Sequence, residues 1–162
     1  MALNAQITLS ILAHETSSGD LSRTLRATPA NYALSLGDGT GANQAQVVWS
    51  DSRTATTSNE DLNLASLADT RDGAAVVVAF TQVKLVYVRN THETSSLRIG
   101  GFSGLGSFAG LPISVSLTLP PGGGYLFSAP SAAGVVAGTA RFAAETGSCT
   151  YDIVLIGEGT VT

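Results

Sequence analysis

Leu117-Thr118-Leu119 runs into Pro120-Pro121-Gly122-Gly123-Gly124, then Tyr125-Leu126-Phe127 and Ser128-Ala129-Pro130; the chain closes with Tyr151-Asp152-Ile153-Val154-Leu155-Ile156-Gly157. A short strand meets a turn forced by proline and glycine, and a second strand follows. The final apolar run reads as a buried strand that stops at Gly157. This succession predicts an all-β chain.

Outward from that stretch the pattern repeats. Ile113, Val115, Leu117 and Leu119 alternate with Ser114, Ser116 and Thr118, the period of a half-buried strand. Ile7, Leu9 and Ile11 alternate in the same way, as do Tyr32, Leu34 and Leu36. Gln46 to Arg53 reads as a strand with Val47 and Trp49 on one face. Leu62 and Leu64 flank Asn63 in a short edge segment, Asp69 to Gly73 reads as a turn, and Leu97 to Ile99 as a short strand. Val76 to Val88 is rich in Val, Phe and Tyr, which favours strand. It is long for one strand, so a bulge or bend is expected near Thr81-Gln82. Ala137 to Glu145 reads as strand or short helix, and Phe102 to Gly110 as a loop.

Eight to ten short strands at regular spacing predict a single-domain β-sandwich, jelly-roll-like. Residues 1–30 read as an N-terminal strand and a polar arm, the segment from His14 to Ala30 being a loop or arm. Residues 31–162 read as the sandwich body. At 162 residues the chain suits one core.

Only 12% of the residues are charged and 44% are hydrophobic. An ordinary soluble domain carries about 25% charge. Uncharged surface costs little to desolvate, so this composition favours assembly. The net charge is −4, with Lys84 and scattered arginines. Nucleic-acid binders cluster Lys and Arg, so direct nucleic-acid contact is not expected. No run approaches the roughly 18 apolar residues of a membrane helix. The N-terminus lacks the pattern of a signal peptide. The expectation is synthesis in a cytoplasm with no membrane partner. Cys149 stands alone and reads as a buried thiol.

His14-Glu15-Thr16-Ser17-Ser18 recurs as His92-Glu93-Thr94-Ser95-Ser96. If both copies met at one end of the sandwich, His14, Glu15, His92 and Glu93 would supply imidazole and carboxylate to zinc or a similar ion. The alternative is two polar turns whose Ser and Thr satisfy local backbone. The turn reading is adopted, and no metal or cofactor is assigned.

Gly37-Asp38-Gly39-Thr40-Gly41 lacks the lysine and following helix of a phosphate loop and reads as a tight loop. Ser103, in Gly101-Phe102-Ser103-Gly104-Leu105, misses the G-x-S-x-G elbow. Glu60 and Asp61 are adjacent on a strand, so they face opposite ways and do not pair as acid and base. Asp51 and Arg53 share a strand face and read as an ion pair, local or between subunits. They are the candidate assembly residues. Trp49, Tyr87, Tyr125 and Phe127 read as core rather than as a sugar-stacking platform. No catalytic residue emerges.

Several segments together resemble a family of small structural proteins of tailed-bacteriophage virions. The matching pieces include Gly39-Thr40-Gly41-Ala42-Asn43-Gln44-Ala45, Ser50-Asp51-Ser52-Arg53-Thr54, Asn59-Glu60-Asp61-Leu62-Asn63-Leu64-Ala65 and Phe80-Thr81-Gln82-Val83-Lys84. Arg89-Asn90, Gly100-Gly101, Pro121-Gly122-Gly123, Ala129-Pro130 and Tyr151 to Gly157 continue the order. The resemblance covers roughly residues 32–157 and implies a particle component rather than an enzyme. The expected role is a capsid decoration (cement) protein on the outer head surface. Its partners would be the major capsid protein and copies of itself, as a homotrimer. The alternatives are a tail or fibre component touching host glycans, and a glycan hydrolase.

Overall fold

The computed structural model describes residues 2–11, 14–17, 23–26, 30–100 and 116–162. In chain order the strands are β1 (Ala5–Ile11), β2 (His14–Ser17), β3 (Arg23–Arg26), β4 (Ala30–Asp38), β5 (Gln44–Ala45), β6 (Val47–Thr56), β7 (Glu60–Asn63) and β8 (Leu67–Arg71). They continue with β9 (Ala74–Asn90), β10 (Leu97–Gly100), β11 (Ser116–Leu119), β12 (Gly124–Ser128), β13 (Val135–Val136), β14 (Thr139–Ala144) and β15 (Ser148–Val161).

The protein is all-β and is built as a sandwich. The large sheet runs β12-β9-β15-β6, with β8 and β13 also paired to β9. The small sheet runs β11-β10-β14-β7. Between them lies the main core, in which Val86, Val88, Tyr151, Ile153 and Leu155 meet Leu97, Ile99, Leu119 and Phe142. The rings of Phe142 and Tyr151 stack with centroids 4.7 Å apart. Such a pair adds about 0.5–1.5 kcal/mol beyond its buried area.

A third layer covers the other face of the large sheet. Strand β1 pairs antiparallel with β4, and this hairpin lays Leu34 and Leu36 on Leu85 and Ile156. From Val83 to Val86 strand β9 is therefore buried on both faces, whereas its burial alternates on either side, with Val77 and Tyr87 exposed.

Several expectations are corrected here. His14 to Ala30 is not simply a loop. Strand β2 pairs with β3 as a separate two-stranded sheet, His14 opposite Arg26 and Ser17 opposite Arg23. Leu67 to Arg71 is strand, and the turn is confined to Asp72-Gly73, both at positive φ. Ala137 to Glu145 resolves as β14, with Ala140, Phe142 and Ala144 facing the core. The alternation at Ile113 and Val115 and the loop from Phe102 to Gly110 lie outside the described residues. So does Ser103.

The bulge expected near Thr81-Gln82 is present. The β9–β15 register shifts twice, between Ile156 and Gly157 and between Glu158 and Gly159, leaving Lys84 and Thr81 without cross-strand partners on β15. Strand β15 does not stop at Gly157, as the sequence suggests, but continues to Val161. The glycine is needed for close approach. A Cβ on Gly157 would lie 2.1 Å from the carbonyl oxygen of Gln82, and one on Gly159 would lie 2.1 Å from that of Ala79.

Candidate functional site

The hairpin of β1 and β4 carries one apolar face. Its rungs are Ala5 with Leu36, Ile7 with Leu34 and Leu9 with Tyr32, followed by Ile11 opposite Ala30. The polar residues Gln6, Thr8 and Ser10 fall between them on the other face, where Ser10 Oγ donates to Asn31 Oδ1 at 2.8 Å. The first two rungs pack on the large sheet. At the third, the Tyr32 and Ser128 hydroxyls sit 2.9 Å apart and mark the margin of the body. Beyond it the stripe is uncovered: Leu9 is 45% exposed, Ile11 56% and Tyr32 39%.

Sequence reasoning missed this surface. Alternation marks Leu9 and Ile11 as one face of a strand but not what covers that face. The available signal was symmetry. Two alternating segments flank a polar stretch, which is the pattern of one long hairpin.

The predicted assembly residues are joined within the chain. Arg53 Nη1 donates to Asp51 Oδ2 at 2.9 Å. Arg53 Nε donates to Glu60 Oε1 at 2.7 Å, and Nη2 bonds the same oxygen. Burial works against the charge on Arg53, but Glu60 and Asp51 outweigh it and raise its pKa. The Tyr151 hydroxyl completes the chain of contacts, donating to Glu60 Oε2 at 2.9 Å. Burial first, then the Glu60 charge, push the Tyr151 pKa well above its ordinary value.

Asp61 turns the other way and pairs with Arg141. Hydrogen bonding to that guanidinium holds its carboxyl below the usual carboxylate range. Glu60 and Asp61 therefore work separately, as their strand positions predict.

The two copies of the repeated pentapeptide adopt different backbones. His14 to Ser17 is strand β2, whereas His92 to Ser96 is a loop after β9. The reading of both as turns therefore fails for the first copy. The side chains of His14 and Glu15 lie outside the described residues. His92 Nδ1 accepts from the backbone N–H of Ser95 at 2.9 Å and of Thr94 at 3.2 Å. That nitrogen holds the loop and is not open to a metal. Among the described residues no group of three or more His, Cys, Asp and Glu is placed to hold a metal ion.

The same loop hangs on Asn90, which is fully buried. Its amide nitrogen donates to the carbonyls of Ser95 and Leu119, at 2.9 and 3.0 Å. Its oxygen accepts from His92 N at 2.9 Å and from Cys149 Sγ at 3.1 Å. Cys149 is buried as expected, and burial raises its pKa.

Lys84, the lone lysine, is wholly buried at the first bulge. It meets Glu158 Oε1 at 2.9 Å and donates to the carbonyls of Ser131 at 2.5 Å and Ala132 at 2.8 Å. The Gly41 carbonyl, at 3.5 Å, is a further acceptor, so the buried ammonium is ringed by three carbonyls and one carboxylate. The signal in the sequence is a lysine inside an apolar run.

Of the four aromatics weighed as a platform, Trp49 is buried, while Tyr125 and Phe127 pack against the main core. Tyr87 is half-exposed on the opposite face. Gly37 and Asp38 belong to β4, so the loop expected from Gly37 begins only at Gly39, which takes φ 134°, and runs past Gly41 to Asn43 at φ 56°. A cleft of 410 Å³ lies between Trp49-Asp51 and Ala68-Thr70. Trp49 Nε1 bridges to the Ala68 carbonyl at 3.0 Å, and the Asp51 and Asp69 carboxylates in that cleft pair with Arg53 and Arg71. A second groove, of 540 Å³, has aliphatic walls at Leu3, Val48, Val76 and Val161, with Arg71 and Asp72 also in its lining.

Among the described residues, five ion pairs lock acidic and basic side chains within the chain, while the stripe of Leu9, Ile11 and Tyr32 is left uncovered. Compared with known proteins, the chain matches no family model, no curated protein and no solved structure.

Proposed function

We propose that this chain is a structural protein of a tailed-bacteriophage particle, a decoration protein that binds the outside of the head shell as a homotrimer. Its partners are the major capsid protein and its own copies. Its work is binding rather than catalysis. The observation that carries the reading is the uncovered stripe of Leu9, Ile11 and Tyr32, continuous with rungs that pack on the body. Burying such side chains contributes about 1.5–3 kcal/mol each, so an exposed row of them favours association. The low share of charged residues points the same way. The resemblance over residues 32–157 supports the phage particle as the setting.

Many weak contacts on one shell act together, because each bound copy raises the effective concentration of the next contact. A small β-sandwich can therefore brace a large lattice. Copy number in purified particles tests the placement. Hundreds of copies per particle agree with a shell protein. A handful would put the chain in the tail and overturn the proposal.

A further inference from the structure

We infer that Asp51 and Asp69 guard an opening between two strand edges and keep a second copy of this chain from adding a strand there. This holds whether or not the chain sits on a particle.

The sequence carries the same three-residue pattern twice, Asp51-Ser52-Arg53 on β6 and Asp69-Thr70-Arg71 on β8. Both copies make the same contacts. Asp51 Oδ1 accepts the backbone N–H of Ser52 at 2.9 Å, and Asp69 Oδ1 accepts that of Thr70 at 2.8 Å. The second oxygen of each takes the arginine two residues on, Arg53 Nη1 at 2.9 Å and Arg71 Nε at 3.0 Å. Each guanidinium thus holds its aspartate against the amide that the aspartate caps.

Both copies lie on strand edges. Among the described residues β6 is paired only with β15, and β8 only with β9. Alternate residues of an antiparallel strand turn their N–H and C=O away from the partner strand. On β6 these include Val48, Ser50 and Ser52, and on β8 Ala68 and Thr70. The Val48 carbonyl accepts from Arg71 Nη2 at 2.6 Å, and the Ala68 carbonyl from Trp49 Nε1 at 3.0 Å. These two bonds cross between the strands, so the edges face each other over the 410 Å³ cleft. Side chains therefore take two outward N–H groups and two outward carbonyls that a strand would otherwise pair with.

An open edge offers its unpaired groups to any strand that meets it. The strand at hand is that of another copy, because an edge is self-complementary: two β6 edges pair antiparallel about a two-fold axis. Local side-chain bonds to backbone compete directly with that ladder.

The test is sedimentation velocity over a range of concentrations. Asp51→Ala/Asp69→Ala frees both amides and is expected to self-associate at least tenfold more tightly than wild type. Adding Ser52→Pro and Thr70→Pro deletes the freed donors at positions that an edge strand tolerates. Association should then return to the wild-type level. An alanine variant that sediments as wild type does, or association that survives the prolines, overturns the inference. Amide hydrogen exchange in the wild-type protein gives a readout that needs no variant to fold. Ser50, Ser52 and Thr70 are all exposed, and only the last two amides are capped. Exchange at Ser52 and Thr70 at least tenfold slower than at Ser50 supports the guard. Equal rates at the three positions overturn it.

Discussion

The ammonium of Lys84, fully buried, lies 2.9 Å from Glu158 Oε1 across a β-bulge. The bulge removes Lys84 from the ladder and turns its side chain toward the loop at Ser131 and Ala132. The pair therefore ties β9, β15 and that loop together. Taking one partner from a buried ion pair strands the other charge, at a loss of about 3–5 kcal/mol. Glu158→Gln is expected to destabilise by that order in urea unfolding. Adding Lys84→Met to it should recover much of the loss, because no charge is then left buried. Equal midpoints for wild type and Glu158→Gln would show that the pair does not hold the fold.

Asn90 satisfies two carbonyls and accepts two donors in a site closed to water. Asn90→Ala leaves those groups unpaired, and the expected loss is about 2–4 kcal/mol. The loop from His92 to Ser96 should loosen with it. Cys149 reports this, since its thiol is inert while buried. Faster thiol labelling in Asn90→Ala under native conditions is predicted. An unchanged rate would contradict the hub role.

Tyr151 sets a limit at high pH. Its neutral hydroxyl donates to Glu60, and its pKa is raised in the folded state. The contribution is fully present below the ordinary tyrosine value of about 10. Above that value the unfolded chain releases the proton and the folded chain holds it, so stability falls as pH rises. Tyr151→Phe should flatten the slope of melting temperature against pH above about 10. It should not abolish it, because burial also raises the pKa of Tyr125. Identical alkaline slopes would contradict the assignment.

Gly157 and Gly138 separate close approach from mere flexibility. A side chain at Gly157 would collide with the backbone of Gln82, whereas Gly138 has open space around its Cβ position. Gly157→Ala is expected to cost about 3 kcal/mol through forced backbone shifts. Gly138→Ala should stay within about 0.5 kcal/mol of wild type. Similar losses at both positions would mean that β15 is not held as close to β9 as the register requires.

The sheet content was legible because side-chain period is local. The alternations at Ile7 to Ile11, Tyr32 to Leu36 and Val47 to Trp49 all became strands. The bulge was legible as well, since a run as long as Val76 to Val88 exceeds an ordinary strand. The third layer was not. Whether the far face of β9 is covered depends on where β1 and β4 travel, and periodicity carries no such information. For the same reason Gly157 read as a stop: a glycine that ends a strand and one that admits a neighbouring backbone look alike in sequence. The repeated pentapeptide misled because its two copies have different partners, β3 for one and Asn90 for the other. Tertiary context overrides an identical local sequence. The uncovered stripe at Leu9 and Ile11 was hidden because exposure is not written in alternation.

Adhesion to a phage shell is the role we propose for this chain. The direct measurement is cosedimentation of the purified protein with expanded empty heads lacking it. The account predicts saturable binding at a fixed ratio to the major capsid protein, and a rise in the temperature or mechanical load at which the heads rupture. Heads that sediment without the protein at saturating concentration would contradict it.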